Sequence, residues 1–274
     1  MRVLLVQVTT GADPAQNRVA IAEAVAAGRE AAGPLDLIVL PEAVQADFGG
    51  GATPLAEVAE PLDGPFVQGL AGLAGESGAV VVGGMFEQPP GHGSAGLPFN
   101  TLVAVAPGAG LVATYRKAHL YDAFGYRESD LLSAGDPVAV TVTVPVGDAP
   151  PATVGLMTCY DLRFPEQARA LVDGGAELLL VPSAWLRGPG KQHHWATLLA
   201  ARAIENTVYV AGVAKSGERY CGLTRLVDPM GEVVAELDEA DGSVVAQVER
   251  SRIQAVREVN PSLANRRWDV AVRS

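Results

Sequence analysis

With two cysteines in 274 residues, Cys159 and Cys221, the chain has too few thiols for a disulfide framework. A cytoplasmic setting is the expectation, and each thiol has to be explained singly. No apolar run approaches the length of a membrane span, so no membrane association is expected. The opening Met1-Arg2-Val3-Leu4-Leu5-Val6-Gln7-Val8 lacks the long apolar core and small-residue cleavage site of a secretory leader and reads as a strand. Basic residues are scarce as well: 20 Lys and Arg stand against 31 Asp and Glu, a net charge of −11. Without a Lys/Arg cluster, nucleic acid and anionic membranes are not expected partners. Charged residues are only 19% against 49% hydrophobic, which excludes disorder and supplies a sizeable core. Low complexity is confined to Gly49-Gly50-Gly51 and the Pro89–Gly96 loop. No linker rich in Pro, Ser or charge divides the chain, so a single domain over 1–274 is expected.

What is present alternates between strand and helix patterns. A strand is predicted at about 2–9, followed by an Ala-rich helix to about 32. Asp13 is its N-cap, Pro14 its first position, and Gln16 completes a capping-box pattern. Strand 36–40, helix 65–77, strand 79–86 and a hairpin of 99–106 and 111–116 around Pro107-Gly108-Ala109-Gly110 follow. The second half repeats the order: strand 152–158, helix 165–173 closed by Gly174-Gly175, strand 177–182, helix 191–206, strand 208–213. A hairpin of 222–227 and 232–237 then turns at Asp228-Pro229-Met230-Gly231. Strands apolar on both faces need helices on their outer side, and the late hairpins need mixed pairing. A two-sheet sandwich with helices outside satisfies both.

Three segments carry chemistry. Val154-Gly155-Leu156-Met157-Thr158-Cys159 is an apolar strand that stops at a thiol, and a helix start follows at Pro165. Open α/β sheets keep their reactive groups at such strand ends. Leu37-Ile38-Val39-Leu40-Pro41-Glu42 ends on a carboxylate, and Tyr115-Arg116-Lys117 places a lysine just past another strand. A thiol nucleophile needs a base for its proton, the part for Glu42. The oxyanion it creates needs donors, the part for Lys117 and the backbone N–H of Tyr160.

These segments resemble the motifs of the nitrilase superfamily, the carbon–nitrogen hydrolases. Leu40-Pro41-Glu42 is similar to the first motif and Tyr115-Arg116-Lys117 with His119-Leu120 to the second. Cys159-Tyr160-Asp161-Leu162-Arg163-Phe164-Pro165-Glu166 is similar to the third. Pro182-Ser183-Ala184, His194-Trp195, Ala201-Arg202-Ala203-Ile204-Glu205-Asn206 and Asp228-Pro229-Met230-Gly231 extend the likeness over nearly the whole chain. The resemblance implies an α/β fold, a four-layer αββα sandwich that usually pairs into a homodimer. Helix 165–173 and the tail around Trp268 are plausible contacts. It implies Glu42 as general base, Lys117 as stabiliser, Cys159 as nucleophile, and Glu128 positioning the lysine and the substrate, with no metal or organic cofactor. The third motif is closer to the ω-amidases and deaminated-glutathione amidases than to nitrilases, which favour Cys-Trp-Glu. The implied substrate is a small amide bearing a carboxylate, such as the ω-amide of an α-keto acid, cleaved through a thioester to carboxylate and ammonia. Arg127 and Arg187 are the candidates to pair with that carboxylate, and Trp185 either lines the pocket or packs. An N-carbamoyl amino acid hydrolase, a nitrilase-type activity and a silent binding protein of the same fold are the alternatives. The stretch Tyr121-Asp122-Ala123-Phe124-Gly125-Tyr126 departs from the commoner loop and bears on the substrate.

Plainer roles are expected for other residues. Cys221 reads as structural at a strand start, and Arg163 with Glu166 as a local ion pair shaping the turn. His119 reads as ordering the loop after Lys117, and adjacent His193 and His194 face apart on a helix. Gly83-Gly84 is too weak a pattern for a phosphate site.

Overall fold

The structure, a computed structural model, describes residues 1–48, 54–89, 91 and 96–272. The Gly49-Gly50-Gly51 run and most of the Pro89–Gly96 loop lie outside the described residues. Helix starts are set by proline: α1 (Pro14–Ala32), α3 (Pro65–Ser77) and α4 (Pro165–Asp173) each place Pro in their first turn, after the short α2 (Leu55–Val58). At α1 the Asp13 carboxylate accepts from the backbone N–H of Ala15 and Gln16, as a cap should. Gln16 departs from the expected box. Its amide donates to the Asp13 carboxylate at 3.0 Å, a side-chain pair in place of a bond to the cap's backbone.

The first sheet is built on three parallel strands, β1 (Arg2–Gln7), β2 (Leu37–Val39) and β3 (Val80–Glu87). Antiparallel β4 (Phe99–Ala106) and β5 (Gly110–Arg116) extend it on one side. A two-stranded hairpin, β6 (Asp122–Ala123) with β7 (Tyr126–Arg127), follows. The second sheet holds β8 (Thr141–Val146), β9 (Ala149–Leu156), β10 (Leu178–Ser183), β11 (Tyr209–Ala214), β12 (Arg225–Val227) and β13 (Val233–Glu236). Here too the middle three, β9, β10 and β11, are the parallel ones. The chain then returns to the first sheet as β14 (Gly242–Gln247), antiparallel to β1, and ends in α6 (Arg250–Val259). The orders β14-β1-β2-β3-β4-β5 and β8-β9-β10-β11-β12-β13 correspond strand for strand, so the repeat of elements read in the sequence is a repeat of topology.

Alternation along the strands makes the layers. Val3, Leu5, Val39 and Val82 face Val154, Leu156, Leu180 and Ala211 across the middle of the sandwich. Their neighbours Leu4, Val6, Ile38 and Val81 face outward onto Ile21 and Val25 of α1 and Phe66 and Leu70 of α3. On the other sheet Leu179, Val181 and Val210 pack on Leu171 of α4 and on Trp195 and Leu199 of α5 (Lys191–Asn206). Helix, sheet, sheet, helix is thus an α/β sandwich of four layers. The sequence reading missed β8, β14, α6, the β6–β7 hairpin and a 3-10 helix over Cys159–Arg163. Cys221 precedes β12 in a loop instead of opening a strand.

Candidate active site

Strands β2, β5 and β9 end near one another and deliver three side chains to one pocket. Glu42, Lys117 and Cys159 line it together with Glu128, Tyr121, Tyr126, Tyr160 and others, around a space of about 520 Å³. Two of the turns involved are strained: Cys159 and Ala43, which follows Glu42, both have φ of +46°, a conformation that costs a non-glycine residue of order 1–3 kcal/mol. Strand β3 makes room for the second turn at Gly84, where a Cβ would stand 2.4 Å from the Ala43 nitrogen. That is the physical reason for one of the two glycines of Gly83-Gly84.

Lys117 is buried, and its Nζ donates to Glu42 Oε1 at 2.9 Å and to Glu128 Oε2 at 2.9 Å. Glu42 accepts further bonds from the Asn100 amide at 2.7 Å and, across the sandwich, from the backbone N–H of Ala184 at 2.6 Å. Glu128 also accepts from the backbone N–H of Tyr121 at 2.6 Å. Burial by itself would raise the Glu42 carboxyl. The Lys117 charge and the bonds from Ala184, Lys117 and Asn100 override it and hold the group below the ordinary carboxylate range. Burial opposes the Lys117 charge, but Glu128 and Glu42 keep it protonated well above the usual lysine range. The Cys159 thiol is pushed well above its usual range by burial and by the Glu42 charge. The resting site therefore holds an ionised glutamate, a charged lysine and a protonated thiol.

Asp161 locks the thiol-bearing turn to the lysine-bearing strand. Its carboxylate accepts from the backbone N–H of Thr158 at 2.9 Å and from the Tyr115 hydroxyl at 2.7 Å. The same group accepts from the backbone N–H of His119 at 3.2 Å and lies 2.7 Å from the His119 ring Nδ1. His119 thus belongs to the scaffold of the loop after Lys117.

Of the residues expected to touch substrate, Tyr160 and Trp185 line the pocket. Trp185 also packs on Trp195 at 5.2 Å, so it both lines and packs. The two arginines are elsewhere. Arg127 is exposed and reaches Asp130 at 3.4 Å, because the β6–β7 hairpin turns alternate residues to solvent. Arg187 is drawn to Glu239 at 2.7 Å on the surface. Neither lines the pocket, which corrects the sequence reading. The cations that do line it are Lys117, Arg163, Lys191 and Arg219. The expected Arg163–Glu166 pair is replaced by a contact of the Arg163 guanidinium with His194 Nδ1 at 3.3 Å and by the aromatic faces of Trp185 and Phe124. Asn100, Lys191 and the Ala184 N–H are not marked as site groups by the sequence, although Pro182-Ser183-Ala184 resembles a family motif, and Tyr121 is marked only through the stretch that bears on the substrate. Among the described residues no cluster of His, Cys, Asp or Glu is arranged to hold a metal ion.

A pocket of this make-up in an α/β sandwich marks a hydrolytic enzyme. The chain belongs to the carbon–nitrogen hydrolase family, whose model matches residues 2–258, and is a hydrolase of carbon–nitrogen bonds. A deaminated glutathione amidase of Escherichia coli O157:H7 is 45% identical over 173 residues, covering 63% of this chain and 64% of that one. The deaminated glutathione amidase of Bos taurus is 35% identical, with 98% of this chain and 82% of the relative covered. Among solved structures, Saccharomyces cerevisiae Nit3, a member of branch 10 of the nitrilase superfamily, superposes with a TM-score of 0.84. The two share 28% identity, over 98% of this chain and 97% of that one.

Proposed function

We propose that the chain, read as one domain over 1–274, is a cysteine amidohydrolase acting on a small amide that carries a carboxylate. The ω-amide of an α-keto acid and deaminated glutathione are the leading substrates. The observation that carries this reading is a buried Lys117 held between Glu42 and Glu128 in the pocket that Cys159 lines. Because the thiol is protonated at rest, attack and deprotonation go together. Glu42 takes the Cys159 proton as Sγ bonds to the amide carbon, and the carbonyl oxygen becomes an oxyanion. Lys117 and the backbone N–H of Tyr160, in the first turn of a 3-10 helix, are the donors for it. Collapse breaks the C–N bond, Glu42 returns the proton to the leaving nitrogen, and ammonia departs. Water then attacks the thioester with Glu42 as base, releasing the carboxylate and restoring the thiol. Every step is met by groups of the chain itself, so no cofactor is invoked.

Arg163 takes the carboxylate-binding part first given to Arg127 and Arg187. It lines the pocket, and its buried Nε has no hydrogen-bond partner among the described residues. Two free cysteines support placement in the cytoplasm. Pairing into a homodimer is supported by exposed Ile204 on α5 and exposed Met230 in the Asp228–Gly231 turn, whose Gly231 packs against Ile204. Light scattering should then give twice the 28.3 kDa chain mass; a monomer at micromolar concentration would remove that part.

The test is ammonia release from α-ketoglutaramate, α-ketosuccinamate, deaminated glutathione, glutamine, an N-carbamoyl amino acid and a simple nitrile. Cys159→Ala runs beside the wild type. Cys159-dependent release from the keto amides or deaminated glutathione is expected. Turnover of the carbamoyl compound or the nitrile alone overturns the substrate class, and activity surviving Cys159→Ala overturns the mechanism.

A further inference from the structure

The chain contains three lysines, Lys117, Lys191 and Lys215, and all three are buried, at 1%, 8% and 0% exposure. A buried ammonium is costly unless paired. Lys117 lies between Glu42 and Glu128, and Lys215 is bonded to Asp47 at 2.8 Å. For Lys191, no ion pair with a carboxylate is found among the described residues. Its Nζ donates to the Tyr121 hydroxyl at 2.5 Å and lies 3.8 Å from the centre of the Phe124 ring, 4.8 Å from that of Tyr121 and 5.9 Å from that of Trp185. Aromatic faces and one phenol offset part of the desolvation of a cation, and the remainder favours an anion.

Arg163 is in the same position. It stands over the same Phe124 and Trp185 rings at 5.6 and 5.2 Å, also without a carboxylate partner among the described residues. Two like charges share one aromatic wall, and both line the pocket of Cys159. Phe124 itself is 67% exposed and held at φ of +55° at the tip of the β6–β7 hairpin. A large apolar ring in a strained, solvent-facing position is explained by the cations beneath it.

The local charges leave room for an anion. Glu42 and Glu128 flank Lys117, and Asp47 is shared by Lys215 and Arg219. Arg163 and Lys191 add two positive charges that no carboxylate among the described residues pairs, so a substrate carboxylate meets an excess of positive charge.

We infer that Lys191 is a specificity-determining residue, the second arm of a two-cation clamp that closes with Arg163 on a single substrate carboxylate. On binding, the carboxylate replaces the Tyr121 hydroxyl at Nζ, and Phe124 shields the pair from water. The clamp rests on the amidohydrolase reading for its catalytic readout, but not for its binding readout.

Two measurements test it. The first compares kcat/KM for an ω-amide bearing a carboxylate with that for its methyl ester of the same length, in wild type and in Lys191→Met. The acid-to-ester ratio should fall roughly 10–100-fold, the loss expected for one charge-assisted hydrogen bond. Lys191→Arg should recover part of it. An unchanged ratio, with both substrates equally impaired, overturns the clamp in favour of a structural role. The second measures calorimetric binding of a short dicarboxylate, glutarate, to Cys159→Ala and to Cys159→Ala with Lys191→Met. Binding weakened by a similar factor in the double variant is expected, and equal binding overturns the inference. If no amide is hydrolysed but glutarate binding still depends on Lys191, the proposed reaction falls and the clamp stands.

Discussion

Cys159 and Glu42 face each other with the proton on sulfur, although thiol enzymes often lower the thiol's pKa. Here burial works against both ionised forms, and the Lys117 charge, with the bonds from Ala184, Lys117 and Asn100, keeps the carboxylate ionised while the thiol stays protonated. The proposed mechanism needs Glu42 ionised, so on that reading activity should persist to acid pH and fall only below about pH 4.5, the ordinary value for a glutamate. Asn100 donates to Glu42 at 2.7 Å and helps hold it down. Asn100→Ala removes that bond, so the acid limb of the kcat/KM profile should move upward by up to about one pH unit, with a loss of roughly tenfold in rate. A limb that stays put would mean that Lys117 sets the Glu42 ionisation without help. The three motif residues were legible in the sequence because their chemistry fixes residue type. Lys191 and Arg163 were not, since the role proposed for them rests on having no carboxylate partner among the described residues, and a missing partner is visible only in three dimensions.

At the scale of elements, the long helices were legible to the residue where proline opens them, at Pro14, Pro65 and Pro165. Strand β8 was not, because Pro145 interrupts its short Thr-Val alternation and it buries only one face at the sheet edge. Strand β14 pairs with β1 from the far end of the chain, and a pairing so distant in sequence leaves no local pattern. Helix α6 buries only Ile253 and Val256, too narrow a stripe to read against four neighbouring charges. The 3-10 helix after Thr158 is the element that carries Cys159, and Asp161 holds it. Asp161→Asn keeps the shape but leaves one of the N–H groups or the Tyr115 hydroxyl without its charged acceptor. It should cost about 2–4 kcal/mol in a denaturant titration and lower kcat more than it raises KM, as the turn loosens from the Lys117 strand. A stable protein with unchanged kcat would show that strain at Cys159 alone sets the geometry. Gly84→Ala is a second check. With 2.4 Å between its Cβ and the Ala43 nitrogen, the turn that carries Glu42 must shift, and activity should drop at least tenfold.

Across the whole molecule, the site is a seam between two similar halves. Glu42 and Lys117 come from the first sheet and its loops, Cys159 from the second, and the Ala184 N–H reaches Glu42 across the join. Neither half alone holds both Cys159 and Glu42. The burial of every lysine has a practical corollary for work with this protein. Amine-directed acylating reagents should leave Lys117 and Lys215 unmodified in the folded state and reach both only after unfolding, so mass shifts at these two positions report global opening. Lys191 lines the pocket and keeps some exposure, and burial beside Arg163 lowers its pKa. The Lys215 pKa is lowered as well, but that side chain is fully buried, so Lys191 should be the most reactive of the three. Its acylation rate, measured with and without glutarate, would then report occupancy of the pocket with no substrate turnover at all.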